Sequence, residues 1–161
     1  MTRSKKWYAI ALTGLSVWIA GFVSVPLIAP SLPSLADFIY GIFGRTCHQM
    51  PERSFFLNDL PMGVCARCTG IYFSGWFVLF IFLVKRKIRL FPLSLYLSLS
   101  VPLILDFCLE KMNFYQDLVI IRIITGILFG IALFHMFAIS LLVDNAYQMQ
   151  KKGFGWTTKE L

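Results

Sequence analysis

Four long apolar runs, separated by short polar or basic segments, dominate the chain. They cover about residues 7–29, 64–84, 91–109 and 118–143. A helix needs about 20 mainly apolar residues to cross the hydrocarbon of a bilayer, and each run meets that length. The pattern therefore predicts an all-α integral membrane bundle of four transmembrane helices, with residues 1–161 forming a single four-span domain.

The segment between the first two runs, about residues 30–63, is predicted to be a loop outside the bilayer. Within it, residues 35–43 are apolar and aromatic but too short to span, so we expect a short helix along the membrane interface. The first run is longer than the apolar part of a signal peptide, and no small-x-small cleavage site follows it, so we expect a retained span. The third run contains Pro102, which predicts a kink that neighbouring helices accommodate.

Lysine and arginine residues are distributed unevenly between the two ends of the predicted bundle. Ten flank the chain termini and the short connection between the second and third runs, whereas three lie on the other side, at Arg45, Arg53 and Lys111. Positive charge marks the cytoplasmic side, which predicts a multi-pass plasma membrane protein with both termini in the cytoplasm and an extracytoplasmic loop.

Composition agrees with this interpretation. Hydrophobic residues make up 58% of the chain and charged residues 14%, whereas soluble domains are about 45–50% apolar. The net charge of +7 is explained by topology, so the lipid bilayer is the expected partner and no nucleic acid partner is predicted. Nothing in the pattern indicates an oligomeric state.

Cysteine and histidine cluster just before the second run, as Cys47-His48 and then Cys65-Ala66-Arg67-Cys68. A C-x-x-C at the start of a helix brings two sulfurs to one face, where free N–H groups and the helix dipole favour thiolates. With Cys47 and His48 contributed by the loop, four ligands of the types found in structural zinc sites are available. Zinc is the expected ion for such a set, and iron stays possible.

Two alternatives to this Cys3His site remain open. Adjacent residues of an extended chain point in opposite directions, so Cys47 and His48 share an ion only if the backbone turns between them; otherwise Cys108, near the outer end of the third span, is a candidate fourth ligand. Disulfides persist outside the cytoplasm, and the topology with its C-x-x-C resembles quinone-coupled disulfide-forming membrane proteins and the vitamin K epoxide reductase type. That resemblance implies a thiol–disulfide oxidoreductase using Cys65 and Cys68, with a quinone as cofactor.

Charged residues lie at the same predicted depth as the cysteines: Arg53, Arg67, Asp106, Glu110 and Arg122. Because charges in hydrocarbon are costly, we expect them to face the bundle and to pair, Asp106 with Arg122 first. They either fix helix register or form a cavity in which arginines bind an anionic lipid head group or small molecule while Asp106 or Glu52 handles a proton. Whether any of the five is catalytic stays open. His135, deeper in the fourth run, is expected to be a hydrogen-bonded packing residue.

Three motifs resemble one known family. They are Cys47-His48-Gln49 with Pro51-Glu52-Arg53-Ser54-Phe55, then Cys65-Ala66-Arg67-Cys68-Thr69-Gly70-Ile71-Tyr72, and last Arg122 with Thr125-Gly126 and Gly130. Over about residues 44–130 the chain resembles the prokaryotic membrane family called domain of unknown function 2085.

The resemblance implies that the family's motif positions fall on Cys47, His48, Cys65, Arg67, Cys68, Asp106 and Arg122. The family pattern has a glycine after the aspartate, where this chain has Phe107. Cys108 lies outside the pattern, which favours the three-cysteine-plus-histidine site over two disulfides. The family name implies no activity.

Overall fold

The computed structural model describes residues 3–85, 90–112 and 118–151. Five helices and one β-hairpin follow each other in the order α1 (Arg3–Ile28), α2 (Pro33–Phe43), β1 (Ser54–Leu57), β2 (Leu60–Cys65), α3 (Ala66–Val84), α4 (Leu93–Lys111) and α5 (Val119–Lys151). Four of the helices contain stretches long and apolar enough to cross a membrane: Lys5–Ile28, Ala66–Val84, Leu93–Lys111 and Val119–Leu141. The predicted all-α bundle of four spans with one additional short helix is confirmed.

The α3–α5 contact is the closest helix contact in the bundle, because glycines line it on both sides. A Cβ atom at Gly126 would stand 2.2 Å from the backbone oxygen of Arg67, and one at Gly70 would stand 2.5 Å from that of Ile123. A Cβ atom at Gly130 would likewise stand 2.2 Å from the Oγ of Ser74. Small residues allow membrane helices to approach this closely, so Gly126 and Gly130 are the residues that let α5 pack directly against α3.

The buried core is divided between the two ends of the bundle. At one end, Tyr8 packs with Val78, Leu79, Phe82 and Ala138, and its hydroxyl donates to the Ala138 carbonyl at 2.8 Å. At the other end, which we call the hairpin end because it carries β1 and β2, the core consists of Phe22, Phe43, Cys47 and Val64. The sulfur chemistry therefore lies inside a hydrophobic core.

The short helix α2 has one buried and one exposed side. Ala36 and Phe43 are buried, whereas Leu35, Phe38 and Ile42 are exposed. An exposed apolar face outside the long spans is typical of a helix that lies along the membrane interface, as the sequence predicts.

A β-hairpin, which the sequence analysis treated as loop, connects α2 to α3. Its two-residue turn is formed by Asn58 and Asp59, with φ of 52° and 61°. Both residues are in the left-handed region that a type I′ hairpin turn requires and that Asn and Asp tolerate. The strand β2 continues directly into α3, so the second span begins at Ala66, two residues later than predicted.

Helix α4 packs against α5, and of its described residues Asp106 alone is buried. Pro102 lies inside this continuous helix. Deeper in the bundle, His135 of α5 is buried, stacks on Phe91 at 4.0 Å between ring centroids, and shares a 2.8 Å hydrogen bond with the Tyr96 hydroxyl. His135 is a hydrogen-bonded packing residue, as predicted.

Candidate metal centre and charge cluster

Three cysteine sulfurs converge at the hairpin end. The Sγ atoms of Cys47, Cys65 and Cys68, which we call the thiol group, all lie within 4.8 Å of one another. Sulfurs that share one tetrahedral zinc ion, at Zn–S distances of about 2.3 Å, are separated by about 3.8 Å. Contraction by about an ångström is therefore enough to bring the thiol group to coordination distance of a single ion.

Local secondary structure positions the two sulfurs of the C-x-x-C. Cys65 ends β2 and is also the N-cap residue of α3, with an extended backbone at φ −69° and ψ 163°. Cys68 lies in the first turn of α3. The helix therefore starts between the two cysteines, where its free N–H groups and positive dipole end face the sulfurs.

Cys47 lies in the loop after α2 and is hydrogen-bonded to the hairpin. The backbone N–H of Cys65 donates to the Sγ of Cys47 at 3.2 Å. Hydrogen bonds from the thiols of Cys65 and Cys68, together with this amide, lower the pKa of the Cys47 thiol far below its ordinary value, although burial acts in the opposite direction. The site thus stabilises one thiolate, the form in which cysteine binds metals.

Gln49 holds the loop in place. Its side-chain amide donates to the carbonyl of Tyr40 at 2.9 Å and to that of Gly63 at 2.7 Å, which connects α2 to β2. Its backbone is left-handed, with φ of 49°. The Tyr40 hydroxyl adds a hydrogen bond to the Pro61 carbonyl. Cys47 is therefore positioned by hydrogen bonds that need no metal.

Aromatic side chains enclose the thiol group. Trp18 and Phe22 of α1, Phe43 of α2 and Tyr72 of α3 pack in the same core, with the Trp18 and Phe43 rings 4.6 Å apart. Cys47 itself is only 6% exposed. Cys65 and Cys68 are partly buried, so apolar surface replaces water around Cys47 and on one side of the other two sulfurs.

Two predicted candidates for the fourth ligand lie outside the thiol group. His48 is exposed, whereas its neighbour Cys47 is buried, in line with the opposite directions of adjacent extended residues. Cys108 is exposed on α4 and, like the three cysteines of the thiol group, is a free thiol. Ligation by His48 stays a prediction.

All five charged candidates meet in one ionic network at the hairpin end, on α3, α4, α5 and the turn before β1. Glu110 accepts from Arg53, from Arg67 at 3.3 Å and from Arg122 at 3.0 Å, and Arg67 also pairs with Asp106. We call Arg53, Arg67, Asp106, Glu110 and Arg122 the charge cluster. Ion pairs join Asp106 to Arg67 and Arg122 to Glu110, and the Asp106–Arg122 pair expected from the sequence stays a prediction.

Arg67 connects the two sites. It lies between the cysteines of the C-x-x-C, yet its guanidinium group reaches carboxylates of α4, whereas the sulfurs face the core formed with α1 and α2. The first turn of α3 therefore presents a thiol site on one side and an ionic site on the other.

Sequence reasoning missed three residues that position the site. Gln49 follows Cys47-His48 directly, but an amide that bonds to distant backbone carbonyls leaves no periodic signal in the sequence. Asn58 and Asp59 between two apolar runs are a detectable hairpin signal, and it identifies β2 as the element that delivers Cys65.

Comparison with known proteins places the chain in a family. A model of the family described as "Predicted membrane protein (DUF2085)" matches residues 47–137. An uncharacterized protein of Methanocaldococcus jannaschii is 30% identical over 136 residues, which cover 78% of this chain and 86% of that protein. A second uncharacterized protein, from Methanothermobacter thermautotrophicus, is 34% identical over 92 residues, covering 56% of this chain and 83% of that protein.

No solved structure is significantly similar. The family match begins at Cys47 and includes the whole thiol group and the whole charge cluster, from Arg53 to Arg122. The chain is therefore a member of the DUF2085 family of predicted membrane proteins.

Proposed function

We propose that Cys47, Cys65 and Cys68 bind a zinc ion that ties the loop after α2 to the start of α3. The observation that carries this proposal is the convergence, within 4.8 Å, of three sulfurs from two separated segments. Three sulfurs packed against an apolar core repel one another once more than one is ionised, and a shared cation removes that repulsion.

The donor set favours a single ion. Thiolates and imidazole select zinc among the common divalent metals in sites without other cues, and iron is the alternative. In iron–sulfur clusters the cysteines bind different iron atoms, which requires wider spacing than the thiol group has. A mononuclear site therefore fits the three sulfurs best.

His48 is the proposed fourth ligand. It adjoins Cys47 and is exposed, so its ring reaches the ion only if the backbone between the two residues turns. With four protein ligands the zinc has a structural role, whereas a position left to water permits hydrolytic chemistry. The proposal is the structural role, with the charge cluster beside it as the site for an anionic lipid or small molecule.

The proposed location is the extracytoplasmic face of the plasma membrane. The ten-to-three bias of lysine and arginine supports both termini in the cytoplasm. The hairpin end, with both sites, then faces outward.

Metal content and thiol counts on the purified protein test the proposal. We expect about one zinc per chain by elemental analysis, with Cys108 the thiol that reacts readily before a chelator and denaturant are added. Cys47→Ser and Cys68→Ser lose the metal, and Cys108→Ser is the matched control that keeps it. If cobalt is substituted for zinc, His48→Ala changes its absorption spectrum only if the imidazole binds the ion.

The second candidate function is a quinone-coupled thiol–disulfide oxidoreductase. The observation that favours it is the free C-x-x-C pair with a third thiol within 4.8 Å, an arrangement that suits disulfide exchange. Metal content near zero, together with a Cys65–Cys68 disulfide in the oxidised protein, would replace the zinc proposal with this one.

A further inference from the structure

A single carboxylate stands at the centre of the charge cluster. Glu110 Oε1 accepts from Arg53 Nη1, while Oε2 accepts from Nη2 of both Arg67 and Arg122. The three arginines come from the turn before β1, from α3 and from α5. Guanidinium groups that converge from three elements on one anion have the arrangement used to bind carboxylate and phosphate groups.

The two acidic residues of the cluster differ in their surroundings. Asp106 is 4% exposed and is held by Arg67, with the Thr125 hydroxyl 3.5 Å away. Glu110 has a side chain that is 14% exposed and lies in the last turn of α4. The negative end of a helix dipole disfavours a carboxylate there. Arginines, rather than its own helix, therefore hold Glu110 in place.

Two of the three arginines around Glu110 are partly accessible from outside. The side chains of Arg53 and Arg67 are 26% and 16% exposed, whereas that of Arg122 is 3% exposed and forms the buried side of the cluster. The cluster also lies where α3 begins, α4 ends and α5 begins, close to the ends of the apolar spans. Phosphate groups of lipids lie at that depth of a bilayer.

We propose that Arg53, Arg67 and Arg122 form a binding site for a phosphate group, and that Glu110 occupies this site as an internal competitor when no ligand is bound. A phosphate carries more charge and more acceptor oxygens than a carboxylate, so it satisfies three guanidinium groups better. On binding, the Glu110 side chain turns toward solvent while Asp106 keeps Arg67 in position. The phosphate belongs either to a lipid head group or to a small soluble molecule.

This inference extends the anionic site of the proposed function and does not require the metal. The two proposals share Arg67, but the sulfurs and the guanidinium groups lie on different sides of α3. Zinc content measured on each sample therefore separates failure of one from failure of the other.

Isothermal titration of the intact protein in a phosphate-free maltoside detergent tests the inference. The probes are inorganic phosphate and dihexanoyl phosphatidic acid. We expect Glu110→Gln to bind at least one probe about tenfold more tightly than the wild type, because the competing charge is gone. The matched control is Asp59→Asn, which removes one exposed negative charge in a turn that tolerates asparagine.

The pattern of binding identifies the source of the phosphate. A gain for the lipid alone indicates a head group, and an equal gain for both probes indicates that the phosphate group suffices. Arg53→Gln added to Glu110→Gln is expected to remove the gain. If Glu110→Gln does not fold, Glu110→Asp retracts the carboxylate while keeping its charge, and the same direction is expected.

The inference is overturned if the Glu110 variants bind neither probe more tightly than Asp59→Asn does. It is also overturned if the gain survives the Arg53→Gln change. Normal zinc content in those samples would leave the metal proposal standing.

Discussion

The thiol group and the charge cluster share the first turn of α3 but differ in how their charges are balanced. In the charge cluster most of the charge is balanced by the protein, since its carboxylates and guanidinium groups pair with one another, although three arginines face two carboxylates. The thiol group consists of three like donors in an apolar core, where more than one negative charge is costly without a cation. The comparison shows why a metal is expected on one side of α3 and a displaceable anion on the other.

Both sites depend on the α3–α5 contact, so the largest effect is expected from Gly126→Ala. Its Cβ would stand 2.2 Å from the Arg67 carbonyl oxygen, and backbone cannot move aside cheaply, so destabilisation of about 1–3 kcal/mol or more is expected. The thermal midpoint in detergent, followed by tryptophan fluorescence, should fall, and zinc content should fall with it.

Gly14→Ala is the matched control, because no atom lies within 4 Å of its added Cβ. Alanine in a helix is favoured over glycine by about 1 kcal/mol, so this variant should be neutral or stabilising. A Gly126→Ala protein as stable as Gly14→Ala would contradict the close packing on which both sites rest.

Acidification is expected to release the metal from the thiol group, because metal binding requires thiolates and protons compete with the metal for them. Hydrogen bonds lower the pKa of Cys47, so this ligand resists protonation, and loss of the metal is expected only as the pH falls well below neutral. Zinc retained after dialysis should decline as pH falls from 7.5 to 4. Retention that does not change over this range would contradict thiolate ligation.

A smaller effect, confined to the thiol side, is expected from Gln49→Asn. Asparagine tolerates the left-handed backbone at this position, but its shorter side chain cannot reach both Tyr40 and Gly63. Loss of each hydrogen bond costs about 1 kcal/mol, and loss of a group that positions metal ligands typically weakens metal binding by about 10- to 100-fold.

Competition with a zinc indicator measures this change. Phosphate binding by Glu110→Gln should be unaffected when Gln49→Asn is added, since the Gln49 side chain donates to Tyr40 and Gly63, which are not part of the charge cluster. Equal losses at both sites would show that the loop supports the whole hairpin end.

The smallest effect is expected from Tyr96→Phe, which lies far from both sites. It removes the hydrogen bond to His135 but keeps the ring, so stability should fall by about 1 kcal/mol. Zinc content and phosphate affinity should not change. A change in either would mean that the deep part of the bundle is coupled to the hairpin end.

Most of the fold is encoded in patterns that sequence can reveal. Long apolar runs specify the spans, and the cost of isolated charge in hydrocarbon predicts that Asp106, Glu110 and Arg122 meet. The pairing of Glu110 with three arginines was not predicted, because it depends on the rotation of each helix about its axis. The i, i+4 spacing of Asp106 and Glu110 shows that they share a face but not which arginine faces each of them.

Only part of the thiol site could be predicted, because the positions of the Cys47 and His48 side chains depend on the conformation of the loop. C-x-x-C before a span indicates two converging sulfurs, and Cys47 is brought to them by the hairpin and by the amide of Gln49. The orientation of His48 depends on backbone dihedrals between neighbouring residues, which residue identities alone do not determine.

X-ray absorption at the zinc edge, on the purified wild-type protein, tests the central claim most directly. Shared coordination by Cys47, Cys65 and Cys68 predicts about three sulfur neighbours at about 2.3 Å with one lighter atom at about 2.0 Å, and Cys47→Ser should reduce the sulfur count or abolish binding. Protein free of metal, or zinc surrounded only by oxygen and nitrogen, would contradict it.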